Sequence, residues 1–594
     1  MTSPEAHTPI AFSQTIGDLL ALVFPMGTNP QELDAIAEAD PWAAAPIYAA
    51  DLFAFCAYLI NHVGGMGYFD PAATATCNPP GQGQLQIALS PGQREACRNA
   101  AADWKAKGST PALVHELWTQ LNDSWDEVAS IYLYRSKAPA YPLWWEAVFS
   151  LLIIADEACE GVGHYVFDAE GNLEAPAARC LPATFQNRTI DAKYAMYRLG
   201  NSARWEQRPG ETPRARKNYV SMGVMANAAV VSVQPKGRVT PVGSSLRNMT
   251  RNLAAVGSVG AVRCNWQQLA EPCNPADGKV LNILLVPVPY TLRGNDFQPG
   301  QNGRFEIRQS WLDEEDDFCA NMRTLVEQAA RKGPIHGIIF PEFALTYEVF
   351  RGLQDELFDV SGGSLKFMIS GTSSNCEGDT GNFVMTAIWE GHGRKDRVRY
   401  FSQRKHQRWR LDASQISTYA LGSSLVPAQE WWEDHQIGRR ELHFFQLAED
   451  AVFTSLICED MARNDPCHDI IRSVAPNLVF ALLMDGPQLS HRWPARYAGA
   501  LADDPGCAVL SFTSYGLIER SNHQWPGQPS HAIGLLRDSI GQTREVTLPH
   551  GADAVIVTLR SDQASDRTFD GRNTRFASQW SFVSQLPIAA GLRG

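Results

Sequence analysis

Residues 338–345 read IIFPEFAL. Two isoleucines and a phenylalanine run into Pro341, the carboxylate of Glu342 follows at once, and apolar residues resume behind it. With His336 and Gly337 in front, this short apolar run punctuated by proline reads as a buried strand over 336–343. A glutamate between apolar flanks is costly unless it is paired or has work to do. Glu342 is therefore a candidate for chemistry at a strand end.

The same rhythm extends on both sides. Residues 279–290 (KVLNILLVPVPY) form a β-rich run, and 313–333 form an amphipathic helix with an acidic first turn and a closing Gly333. Further strands are expected over 365–374, 382–391, 398–405, 451–460, 477–486, 507–516, 531–541 and 553–560. Many apolar strands with helices between them indicate an α/β layered domain. Upstream the pattern is helical. Residues 51–65 end in Gly64 and Gly65, residues 91–107 are followed by Gly108, and residues 142–163 start at Pro142. The expected organisation is a mostly helical domain over 1–175 and a mixed connector over 176–278. The α/β domain follows over 279–562, and a tail over 563–594 packs on a neighbour. Within the connector, 227–237 reads as a strand and 244–257 as a helix with a serine cap. The basic loop RPGETPRARKNY (208–219) reads as a solvated loop.

Composition narrows the class. The chain has 594 residues, 44% hydrophobic and 19% charged, with a formal net charge of -13. It is long enough for several cores, and its acidity disfavours general nucleic-acid binding. The N-terminus has no signal-peptide pattern. The longest apolar stretch, 143–155, carries Glu146 and is too short to span a membrane. A cytoplasmic protein is expected, with its twelve cysteines mostly reduced and packed. No CxxC pair occurs, and Cys467–His468 lacks further residues at ligand spacing, so no metal site is expected. No nucleotide-binding glycine loop or serine elbow occurs either.

Three strand ends carry reactive types: Glu342 after IIFP, Lys405 after VRYFSQR, and Cys458 after FTSLI. Each alone has a bland reading: a cap, a solvated cation, a core cysteine. Together they meet the needs of thiol catalysis. A thiol needs a base, and a glutamate in apolar surroundings has its pKa raised towards neutrality. The oxyanion formed on attack needs donors, which a lysine ammonium and the backbone N–H of Glu459 supply.

These stretches, IIFPEFAL, YFSQRKHQRW and SLICEDMARNDP, resemble the nitrilase or carbon-nitrogen hydrolase superfamily, which uses Glu, Lys and Cys in this chain order. Residues 478–516 and 531–559 resemble the family's segments after the cysteine. The resemblance spans roughly 279–562. It implies a four-layer α-β-β-α sandwich, a homo-oligomer, no cofactor, and catalysis by Glu342, Lys405 and Cys458 with the Glu459 amide. Many members carry a second glutamate some eight residues after the lysine. Here Ala413 stands at that distance, beside Asp412 and Gln415.

The expected activity is hydrolysis of an amide, carbamoyl or nitrile C–N bond of a small molecule through a Cys thioester. Arg408, Arg410, Arg492 and Arg496 cluster near the expected mouth and suit an anionic substrate. The rival readings are an N-acyltransferase using the same thioester, and a scaffold or sensor whose helical part binds a protein partner. A similar hydrolase-like domain is fused to bacterial defence reverse transcriptases, which makes phage defence a setting for the scaffold reading.

Overall fold

A computed structural model describes residues 15–28, 41–77, 85–124, 144–164, 166–167, 173–174, 221–257, 262–267, 279–390, 394–438, 440–448, 451–524 and 526–593. The basic loop at 208–219 and Pro142 lie outside the described residues. No helix among those described is long and apolar enough to cross a membrane.

The chain is a mixed α/β protein with two seven-stranded sheets. The first runs, edge to edge, Val398–Arg404, Thr380–Trp389, Phe367–Ser374, Gly337–Leu345, Val280–Leu285, Ala554–Arg567 and Asn573–Ile588. The second runs Thr543–Thr547, Ala532–Arg537, Ala508–Thr513, Leu478–Leu483, Ala451–Ile457, Glu441–Ala448 and Arg263–Gln267. The three central strands of the second sheet are parallel, Ala451–Ile457 to Leu478–Leu483 and that to Ala508–Thr513. Such strands are apolar throughout because both faces are covered.

Alternation decides the layers. Ile339, Phe367 and Ile369 of the first sheet join one core with Phe453, Phe480 and Leu510 of the second. The Phe367 ring lies 5.3 Å from Phe453 and 5.8 Å from Phe480. The alternate residues Ile338, Phe340 and Met368 face a second core with Phe318, Leu325, Phe350 and Leu353. Those four lie on the helices Glu315–Ala330 and Tyr347–Val360.

The helices upstream have a core of their own. Ile16–Val23, Ala49–Val63, Pro91–Lys107, Ala112–Asn122 and Trp144–Ala158 pack together with the hairpin Ser232–Pro235 and Leu253–Val256. Gly64 and Gly108 end two of these helices in the left-handed region, as the sequence leads one to expect.

Three stretches differ from the sequence reading. The expected helix over 244–257 is one turn, Leu246–Met249, followed by the strand Leu253–Val256. The cause is Asp156, whose buried carboxylate accepts the N–H groups of Arg251, Asn252 and Leu253 and so takes donors a helix would need. Arg263–Gln267, assigned to the connector, adds a parallel edge strand beside Glu441–Ala448. The expected tail contains a long strand, Asn573–Ile588, which pairs with Ala554–Arg567 at the edge of the first sheet.

Candidate active site

Glu342 lies where its strand buckles. Pairing with Phe367–Ser374 shifts register between Ser370 and Thr372, since Pro341 has no N–H to give, and Phe343 sits at φ 57. The bulge presses onto Gly371. A Cβ there would lie 2.4 Å from Glu342 Cα and 2.6 Å from the Pro341 oxygen, so glycine is required.

Lys405 follows the edge strand Val398–Arg404 and is fully buried. Its Nζ donates to Glu342 Oε1 at 2.8 Å and to Glu433 Oε2 at 2.6 Å. Asn382 Nδ2 spans the same two carboxylates, donating to Glu342 Oε1 at 2.7 Å and to Glu433 Oε1 at 2.6 Å. The Trp409 N–H completes Glu433 at 2.9 Å. Glu342 Oε2 is buried and accepts from no group among the described residues.

Cys458 ends the strand Ala451–Ile457 and opens a short 3-10 turn, Cys458–Ala462, at φ 41. A non-glycine residue held in this region is strained, and such strain marks positions the surrounding fold over-determines. The thiol is 4% exposed. Glu459 follows within the turn, and its side chain pairs with Arg463 at 3.1 Å.

The charges sort themselves by environment. Burial raises the Glu342 pKa, and the Glu433 charge adds to this against the pull of Lys405 and Asn382. Burial would raise Glu433 too, but Lys405 and His435 outweigh it and hold this carboxyl below its usual range. Burial alone would lower Lys405; the two glutamates and Cys458 hold it well above its ordinary value. Burial, then the Glu342 charge, push the Cys458 thiol well up. The result is one fixed cation, one fixed anion, one carboxyl that can exchange a proton, and a thiol that needs a base to ionise.

The structure brings Glu342 and Lys405 into direct contact, with Cys458 in electrostatic range of both. It does not use the acidic or amide residues that follow Lys405. Asp412 caps the helix Ala413–Thr418 by accepting from the Gln415 N–H at 2.9 Å. The second carboxylate on Lys405 is Glu433, which the sequence reading missed because it lies on a separate strand, Trp431–Glu433. Its signal was the aromatic run WWE, another carboxylate closing a β-prone stretch. A small sheet delivers it. Leu411 pairs with Trp431, and Trp432 and Glu433 pair with Arg304 and Phe305. Trp409 packs edge-on against Phe297, Phe305 and Tyr419 beneath.

The arginines disperse. Arg410 pairs with Glu430 at 3.2 Å on the surface, and Arg492 pairs with Asp485 at 2.8 Å. Arg496 is exposed on the helix Trp493–Asp503. Arg408 donates from Nε to the His435 carbonyl at 3.1 Å and has no carboxylate partner among the described residues. Cys467 faces His406 Nδ1 at 3.1 Å, while His468 Nε2 meets the Met461 carbonyl at 2.7 Å.

No protein-family model matches the sequence, and no curated protein matches it. Solved structures do match. A glutamine-dependent NAD+ synthetase from Acinetobacter baumannii is 15% identical over 52% of this chain and 48% of its own, with a TM-score of 0.28. This chain therefore spans about half of that protein's length. An amidase from Nesterenkonia sp. is 13% identical over 53% of this chain and 92% of its own, with a TM-score of 0.24. Nit3 of Saccharomyces cerevisiae, a member of branch 10 of the nitrilase superfamily, is 9% identical over 52% and 90%, with a TM-score of 0.27. Similarity at this level bears on neither mechanism nor substrate. Among the neighbours that match about half of this chain are a nitrilase-superfamily protein and carbon-nitrogen-hydrolase proteins.

Proposed function

We propose that the chain is a thiol-dependent hydrolase of a non-peptide C–N bond, built on a four-layer sandwich of helices, two sheets and helices. The observation that carries this is the unpartnered Glu342 Oε2. It is a buried carboxylate oxygen with no donor among the described residues, on a carboxyl whose other oxygen is fixed by Lys405 and Asn382, in electrostatic range of a strained cysteine. An orphaned buried oxygen is costly, and the cost is repaid when it accepts a proton in the reaction.

In this reading Glu342 takes the Cys458 proton and the sulfur attacks the substrate carbon. The Lys405 ammonium and the Glu459 N–H hold the oxyanion. Glu342 returns its proton to the leaving nitrogen as the C–N bond breaks, and ammonia or an amine departs. Glu342 then takes a proton from water, whose oxygen attacks the thioester. The acid leaves and the thiol is restored. Glu342 and Glu433 keep Lys405 charged, and Asn382 holds those two carboxylates in place. The proposed substrate is a small amide, carbamoyl compound or nitrile, and Arg408, three residues past Lys405 and without a carboxylate partner among the described residues, is proposed to hold an anionic group on it.

The test is an amide and nitrile library read by intact mass. The wild type should show an acyl adduct on Cys458 with at least one compound and release its nitrogen, while Cys458→Ala should do neither. Turnover that survives in Cys458→Ala would overturn the mechanism.

A further inference from the structure

Two residues past the nucleophile, Asp460 is fully buried. Among the described residues its carboxylate makes no hydrogen bond to Glu342, Lys405 or Glu433, although it feels the charges of the last two. It reaches the turn after Lys405 instead. The His406 N–H lies 3.0 Å from both of its oxygens, and the Gln407 N–H lies 2.9 Å from Oδ1. The far side of His406 is fixed as well, Nε2 meeting the Glu441 carbonyl at 2.9 Å and Nδ1 meeting Cys467.

The placement has a mechanical meaning. Lys405 ends a strand of the first sheet, and Cys458 ends a strand of the second. Between the sheets lie apolar side chains, whose packing is non-directional. Farther back in the strands, Gln403 Nε2 bonds the Ser455 carbonyl at 2.9 Å. At the site itself, register between ammonium and sulfur needs a directional tie within a fraction of an ångström. A carboxylate suits two adjacent N–H donors because it offers only acceptors.

We infer that Asp460 is a positioning residue, clamping the turn after Lys405 onto the turn after Cys458 and so setting the register of ammonium and thiol. This rests on the proposed function, in which Lys405 and Cys458 act together.

The test needs no substrate and uses the full chain. Iodoacetamide, a neutral probe, alkylates Cys458, and peptide mass mapping separates it from the other cysteines. The rate follows the thiolate fraction. The Lys405 ammonium raises that fraction, and the charges of Glu342, Glu459 and Asp485 reduce it. Lys405→Ala is the control and should slow alkylation. Asp460→Asn keeps the shape but turns an N–H donor towards His406 or Gln407; Asp460→Ala removes both acceptors. Both should slow alkylation about tenfold or more near pH 8, the sign expected if Lys405 drifts from the sulfur.

Loss of a nearby negative charge alone would have the opposite sign and speed the reaction. Asp460→Asn as fast as the wild type, or faster, while Lys405→Ala is slow, would overturn the clamp. An unchanged rate in Lys405→Ala would instead overturn the reading beneath it. Should neither Asp460 variant fold, hydrogen exchange of the unaltered protein decides. The His406 and Gln407 amides should exchange as slowly as those of Ala451–Ile457, and rapid exchange would overturn the proposal.

Discussion

Glu433→Gln is the perturbation whose consequence can be worked furthest. Glu342 and Glu433 share one ammonium and one amide, so their charge centres lie about 5 Å apart, and at an effective dielectric near 20 their repulsion is about 3 kcal/mol. That repulsion helps keep the Glu342 pKa raised. Neutralising Glu433 should lower the Glu342 pKa, because the repulsion that helps raise it is removed. Glu342 must be ionised to accept the thiol proton, so activity falls as pH drops through its pKa. The acidic limb of the pH-rate profile should therefore move to lower pH. The plateau should fall too, because a less basic carboxylate is a weaker base; half-sensitivity to the about 3 kcal/mol of lost repulsion gives about tenfold. A glutamine also turns its amide towards either the Trp409 N–H or Asn382 Nδ2, which both donate to Glu433 now. One unsatisfied pair costs about 1–3 kcal/mol of stability. The assay is kcat/KM against pH on an amide found by the library screen, with urea denaturation alongside. An acidic limb that stays in place, or moves up, would refute the assignment of Glu342 as the base tuned by Glu433.

Cys458→Ala should abolish turnover and change unfolding free energy by less than about 1 kcal/mol, since it deletes one sulfur from a site already strained; calorimetry alongside product assay checks both. Lys405→Ala should cut kcat about a hundred- to a thousandfold. It should also destabilise the fold by about 3–5 kcal/mol at neutral pH, because two buried carboxylates lose their cation; denaturation should show the loss easing as pH falls and Glu342 protonates. Gly371→Ala should cost about 2–3 kcal/mol or more, because its Cβ would meet Glu342 Cα at 2.4 Å; a denaturation midpoint equal to wild type would show the bulge can yield. Burial raises the Asp460 pKa from 3.8 to about 7. The stability this group contributes is present below its unfolded pKa and lost as pH rises through about 7. Asp460→Asn should therefore flatten the Tm-against-pH curve over that window, which a thermal series in matched buffers reads directly.

Much of this protein is written locally. Runs such as IIFPEFAL, AVFTSLI and NLVFALL are short, apolar and bounded, and they are the buried strands that the structure shows. Helix ends at Gly64 and Gly108 needed only the left-handed preference of glycine. Glu342 and Lys405 stood out because a charge at the end of an apolar strand is expensive wherever the chain goes next, and the structure puts them in contact. Cys458 was legible only in their company. What the sequence could not decide were partners distant along the chain. Glu433 reaches Lys405 through a small sheet whose pairing joins residues near 304, 410 and 432. Asp156 turns an expected helix into a strand from 95 residues away, measured to Arg251. Arg492 looks like a free cation until Asp485 folds against it. Burial and strand formation follow from neighbours a few positions apart, so a single stretch announces them. The pairing of charges depends on which strand ends the sheets bring together, and tertiary packing alone makes that choice.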